Sequence, residues 1–316
     1  MRSLPLVAIL AVQMAAPSAP QATIAAGPSR AVLYLPDANT GYYRGTRFDW
    51  SGAIASLEWR RHSYFGKWFE KYDPRLHDAI TGPVEEFSSV GYDDARVGGS
   101  FVRIGVGAVR KPDEPAYRQF GMYDITDPGT WTIHTGSSSV EFVHELRDTG
   151  GSAYRYRKNV RLAGNTLTLE HHLKNTGVKP IATTVYEHNF YMLDEQPTGP
   201  GFVVRFPFAT RAARPLDGLA EVRGREVVFL QPFKPTQTIF TELEGFGTGS
   251  GDYDIRVENR TSGAGVRQTG DRPLSKLVLW SAATTVCPEA FIDVKVEPGA
   301  ESSWRITYEF YDVERK

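Results

Sequence analysis

The stretch TTVYEHNFYMLDEQPTGP, residues 183–200, opens with the alternation of a strand and carries the β-formers Thr, Val, Tyr and Phe. Two ionisable side chains, Glu187 and His188, are set into it, followed by Asn189. Neighbours on a strand point to opposite faces, so Glu187 and Asn189 share one face, and His188 shares the other with Tyr186 and Phe190. The run from Asp194 to Pro200 supplies the turn residues that close the strand. A polar group between two aromatics on one strand face can line a sugar site. It equally suits an ordinary buried, hydrogen-bonded histidine.

Working outward, the chain reads as strand after strand. Ser139 to Leu146, Tyr154 to Leu162, Thr166 to Leu173, Ile181 to Leu193 and Phe202 to Phe208 alternate, with Gly-, Asn- and Asp-containing turns between them. Glu226 to Leu230, Ile239 to Leu243, Tyr253 to Glu258, Lys276 to Ser281, Phe291 to Val296 and Trp304 to Tyr311 continue the series. Upstream, Ala31 to Leu35, Ala53 to Trp59 and Val97 to Val109 have the same character, whereas His62 to Phe87 reads as a long loop, packed by its own aromatics to Pro74 and a further loop or edge segment from His77. No segment keeps an apolar period of 3.6 over three turns, and no βαβ rhythm appears. Strands at short intervals with turn signals predict an all-β sandwich or barrel. With no linker or composition break, the segment 27–316 reads as a single domain.

The 316 residues carry a net charge of -1, which offers no electrostatic footprint for nucleic acid or an anionic membrane. Aromatics make up 12% of the chain, as in a β-rich core or a carbohydrate binder. At the N-terminus, Arg2, an apolar run from Leu4 to Ala16 and small residues to Ala26 have the pattern of a secretory signal peptide, expected over 1–26 with the cleavage point left open between Ala19 and Ala26. The run is too short for a stable membrane span and no later apolar stretch is long enough. The sequence therefore predicts an exported protein, periplasmic or extracellular, with no membrane attachment after signal removal. Cys287 is the single cysteine, so no internal disulfide is possible; between Val286 and Pro288 it reads as buried and inert.

Other segments carry candidate chemistry. Arg47 lies in an aromatic- and arginine-rich turn, Tyr42 to Gly52, that suits a binding rim or a structural ion pair. The glycines around Arg103 form no phosphate loop. His77-Asp78 is half of a metal site without its second half, so no metal is expected. Glu85, Glu86 and Glu195 are alternative carboxylates.

Taken together, the strand ending Glu187-His-Asn-Phe190, the late Val286-Cys-Pro-Glu289 and the closing EPGAESSWRITYEF from Glu297 resemble the galactose mutarotase-like superfamily, and within it the aldose 1-epimerases and hexose-phosphate mutarotase relatives. The resemblance covers roughly Ala31 to Asp312. It implies a large β-supersandwich with a sugar lying in a cleft across one concave sheet. It further implies His188 as general acid and Glu289 as general base, with Arg47 and Arg103 as sugar contacts; Glu187 and Asn189, flanking His188, are added as candidate sugar contacts. One departure stands out: relatives carry a second histidine in a His-Gly segment, where this chain reads Tyr117-Arg-Gln119-Phe120-Gly121.

Anomer interconversion needs a base at the anomeric hydroxyl and an acid at the ring oxygen, each with a pKa near the working pH. Histidine, near 6.5, needs little adjustment, and a glutamate improves as a base when partly desolvated. No metal or organic cofactor is implied, and the expected partner is a carbohydrate. Two other readings stand beside this one: a catalytically silent carbohydrate-binding protein, and a glycan-cleaving hydrolase or lyase, which needs a carboxylate pair or a Tyr/His base.

Overall fold

The computed structural model describes residues 18–315. Most of the expected leader, residues 1–17, lies outside them. Its last part does not: Gln21–Ala26 is the first strand, β1, paired antiparallel with β2 (Ser29–Tyr34). Ile24 is wholly buried there, so the folded domain starts upstream of the boundary read at Ala26. β3 (Ile54–Trp59) and β4 (His62–Phe65) complete a four-stranded sheet. The segment read as one long loop thus begins in β4 and ends in β5 (Val84–Phe87).

Val97 to Val109, expected as one strand, is a hairpin of β6 (Ser100–Arg103) and β7 (Gly107–Arg110), joined in a small sheet by β8 (Ile125–Asp127). The turn forms at Gly105, whose φ is +78° and where a side chain would stand 2.3 Å from Asp49. Only glycine fits there. β9 (Thr130–Thr135), β10 (Ser139–Thr149), β11 (Ser152–Ala163) and β12 (Thr166–Asn175) then form a meander. β13 (Ile181–His188) leads to β14 (Phe202–Arg205), the two-residue β15 (Arg211–Ala212), β16 (Ala220–Arg223) and β17 (Glu226–Phe229). The chain ends through β18 (Ile239–Glu244), β19 (Asp254–Asn259), β20 (Ala264–Gly270), β21 (Lys276–Ala282), β22 (Thr285–Val296) and β23 (Glu301–Asp312).

Two large antiparallel sheets dominate. One has ten strands in the order β16-β17-β14-β19-β20-β23-β12-β11-β10-β9; the other has six, in the order β15-β18-β21-β22-β13-β5. They face each other across an apolar core in which Phe87 of β5 meets Tyr156 of β11 and Trp304 of β23 edge-on at 5.5 and 6.1 Å. β11 and β23 alternate buried and more exposed residues, as strands with one face in the core do. The six-stranded sheet departs from this at one end. Val185 to His188, all of β5, and Thr285 to Ala290 are buried on both faces. A second apolar layer explains it: Tyr43, Phe48, Trp50 and Ile80 of the long connections, with Phe101 of β6, cover the outer face. The candidate site lies between that layer and the sheet.

Candidate functional site

Strand register assembles the site. β13 and β22 pair antiparallel from Ile181↔Val296 to Val185↔Ile292, and continuing that register sets His188 opposite Glu289. Residues two apart share a face, so Cys287 stands on the same side, next to His188. β21 pairs Trp280 with Cys287, β18 pairs Phe240 with Trp280, and β5 sets Glu86 beside Tyr186. One row across five strands therefore carries Phe240, Trp280, Cys287, Glu289, His188, Tyr186 and Glu86 on a single face. Loops bring Arg47, Trp68 and Gln119-Phe120 over it, enclosing a pocket of about 130 Å³.

The imidazole of His188 is fixed on all sides. It stacks on Phe190 at 3.7 Å and meets the edges of Phe48 and Trp280 at 5.6 and 5.4 Å. Nε2 lies 3.4 Å from Glu289 Oε1, and Nδ1 lies 2.9 Å from Cys287 Sγ. Burial, reinforced by the Arg47 charge, pushes His188 well below its ordinary value. Burial also raises Glu289 to about 8, against the pull of Arg47. At neutral pH the pair is accordingly a neutral imidazole beside a protonated carboxyl rather than an ion pair.

Arg47 is committed to its neighbours. Its Nε donates to Glu86 at 2.7 Å, a second nitrogen bonds Asp78, and a third donates to the Tyr186 hydroxyl at 3.2 Å. Tyr186 and Gln119 donate to the two oxygens of Glu86 at 2.6 and 2.9 Å. The guanidinium also lies under the Phe120 ring at 4.7 Å. Two carboxylates thus balance its charge, leaving hydrogen-bonding groups and aromatic faces toward the pocket: Trp68, stacked on Phe190 at 4.7 Å, with Trp280, Phe120 and Phe240. Such a lining combines polar edges with apolar faces.

Three residues expected to touch the sugar point elsewhere. Arg103 is buried and donates to the carbonyls of Thr46 and Arg47, so it holds the loop that presents Arg47. Glu187 and Asn189 occupy the opposite face of β13, as alternation requires, and that face is the sandwich interior. Asn189 bonds Gln268, the Pro288 carbonyl and the Tyr308 hydroxyl. Glu187 adjoins a buried cluster in which Lys158 bonds Glu85 while donating to the Ser51 carbonyl at 2.9 Å, and His171 meets Glu85 at 2.7 Å. Of the alternative carboxylates, Glu86 lines the Arg47 network, Glu85 belongs to the interior cluster and Glu195 sits in an exposed turn. Phe240 and Trp280 carried no marker in the sequence beyond strand periodicity.

Among the described residues, two buried groups of donors could hold a metal by proximity: His188, Cys287 and Glu289, and Glu85, His171 and Glu187. In the first, sulfur and carboxyl address opposite ring nitrogens of one imidazole; in the second, the Lys158 ammonium already occupies Glu85. Asp78, beside His77 at 2.9 Å, is spent on Arg47.

No protein-family model matches the sequence, and no curated protein matches it. Solved structures do resemble the fold. The Slr1438 protein of Synechocystis sp. PCC 6803 superposes with a TM-score of 0.61 at 13% identity, over 96% of this chain and 100% of that one. The GalM/aldose epimerase homologue of C. elegans gives 0.57 at 14% identity, over 94% and 100%. A galactose mutarotase related enzyme of Lactobacillus acidophilus gives 0.56 at 13% identity, over 93% and 98%. At such identities the likeness establishes the fold: the chain is an all-β supersandwich of the galactose mutarotase-like type.

Proposed function

We propose that the protein interconverts the anomers of a free, unphosphorylated sugar, with His188 and Glu289 as the proton-transferring pair. The observation that carries the proposal is the pairing itself, a histidine and a carboxyl 3.4 Å apart at the floor of an aromatic-walled pocket. The anomeric hydroxyl and the ring oxygen are bonded to one carbon, so two adjacent groups can serve both. One takes the hydroxyl proton while the other protonates the ring oxygen; the ring opens, the aldehyde turns, and closure from the other face gives the second anomer. Arg47, its charge balanced by Glu86 and Asp78, has none to spare for a phosphate group, which favours a neutral sugar.

The test is polarimetric. Freshly dissolved α-glucose or α-galactose should relax to the same equilibrium rotation faster with protein than in buffer. His188→Ala and Glu289→Gln, each folded, should lose about 10²- to 10⁴-fold of that acceleration. A second reading, a sugar-binding protein without catalysis, is motivated by the segment Tyr117 to Gly121, which holds no histidine where the resemblance implies a His-Gly pair. Thermal stabilisation by a sugar whose anomers relax only at the buffer rate would select it. We further propose export, motivated by Arg2 and the apolar run that follows.

A further inference from the structure

Phe190 takes a left-handed backbone conformation, φ 46°, which a bulky residue keeps only where its surroundings hold it. The Asn189 N–H, just before that bend, donates to Cys287 Sγ at 3.1 Å. His188 Nδ1 approaches that sulfur at 2.9 Å, while the Phe190 ring stacked on the imidazole fixes the ring plane. A thiol S–H is a weak donor, and here the sulfur already accepts from a backbone amide.

We propose that Cys287 is a positioning residue: its sulfur holds the His188 proton on Nδ1 and leaves the Nε2 lone pair facing Glu289. The inference rests on the acid–base reading of the pocket and sharpens it, because it sets which group starts as acid. A desolvated carboxyl that keeps its proton needs an acceptor, and Nε2 is at hand. With a sugar bound, Glu289 gives its proton to the ring oxygen while Nε2 takes the proton of the anomeric hydroxyl. The bond from the anomeric carbon to the ring oxygen breaks and the C=O bond forms from the hydroxyl oxygen. The open-chain aldehyde then coincides with a Glu289 carboxylate and a His188 imidazolium. The two charges stabilise each other, and the imidazolium keeps its Nδ1–H on sulfur. Ring closure from the other face returns both protons. The starting roles are thus the reverse of those the family resemblance implies.

The experiment is nitrogen NMR of the mature protein labelled with ¹⁵N-histidine, with His188→Gln assigning the resonances and Cys287→Ala and Cys287→Ser beside wild type. Wild-type His188 should be neutral and protonated at Nδ1. Cys287→Ala should move the proton to Nε2 in most molecules, and Cys287→Ser, whose oxygen can accept the same donors, should keep it on Nδ1. In mutarotation, Cys287→Ala should lower kcat about 10-fold or more with KM little changed, and serine should restore most of it. Wild-type His188 protonated at Nε2 overturns the inference, whether or not the alanine variant folds, and so does an unchanged tautomer in a folded Cys287→Ala. The Nδ1 tautomer in a protein that does not accelerate mutarotation overturns the catalytic reading alone.

Discussion

Glu289 keeps its proton to about pH 8 chiefly because burial denies the carboxylate its water, with Glu86 and Asp78 adding to the effect and Arg47 and Lys276 opposing it. That shift has a thermodynamic signature. In the unfolded chain the carboxyl loses its proton near pH 4.5, whereas in the folded protein it holds it to about 8. Between those limits the folded state binds the extra proton, so its contribution to stability declines as pH rises, by at most about 1.4 kcal/mol per unit. Below the lower limit the contribution is fully present. Asp49, which burial raises to about 7, slopes the same way but does so in every variant that retains it. Glu289→Gln should therefore flatten the fall in urea-unfolding stability between pH 5 and 7.5 relative to wild type. Parallel curves for the two proteins would mean that Glu289 is ionised in the folded state. At this scale the sequence singled out His188 and Glu289 as candidates but not their protonation, since that depends on which aromatics desolvate them.

The elements were legible where one face meets water and illegible where both faces are covered. β11, β12 and β23 alternate, and their strand character is plain from sequence. Thr285 to Ala290, TVCPEA, has no alternation and contains a proline, so β22 was read only from Phe291 onward; burial on both faces removes the period that marks a strand. Glu289 lies well inside this strand, not at its end. β4 and β5 were hidden among the aromatics of the segment read as a loop. β1 was missed differently, because QATIAA resembles the small-residue end of a leader. It nevertheless pairs with β2 along its whole length and buries Ile24, and the Ala25 N–H donates to the Ser137 carbonyl. If a leader is removed, cleavage should fall at or before Pro20, which N-terminal sequencing of the exported protein would read. A chain begun at Gly27 should be less stable than one begun at Ala19 by about 2 kcal/mol or more, given the buried isoleucine and the lost strand pairing. Equal melting temperatures would return the boundary to Ala26.

Across the whole molecule, the two sheets enclose charge as well as apolar surface. Asp49, Glu85, Lys158, His171 and Glu187 are all buried between them. The periodicity that identified the all-β class could not reveal this, because the partners come from four strands and a loop far apart in the chain. Burial opposes the charge on Glu85, but the Lys158 ammonium and the His171 hydrogen bond outweigh it and hold the carboxyl at about 2. Burial keeps His171 below and Glu187 well above their ordinary values, so both are neutral near pH 7 and Lys158 chiefly offsets Glu85. A buried pair of this kind contributes little over an apolar replacement of both members, yet loss of one member is costly. Lys158→Met should destabilise the protein by about 3–5 kcal/mol at pH 7, measured by urea unfolding. Without the ammonium, the folded-state pKa of Glu85 rises above its unfolded value, so the folded variant takes up a proton as pH falls. Its deficit relative to wild type should therefore shrink at pH 5, and Glu85→Gln added to Lys158→Met should recover much of the loss at pH 7. A Lys158→Met protein as stable as wild type at both pH values would mean that water reaches the cluster and screens it. The sandwich could then open locally beneath the strand that carries His188.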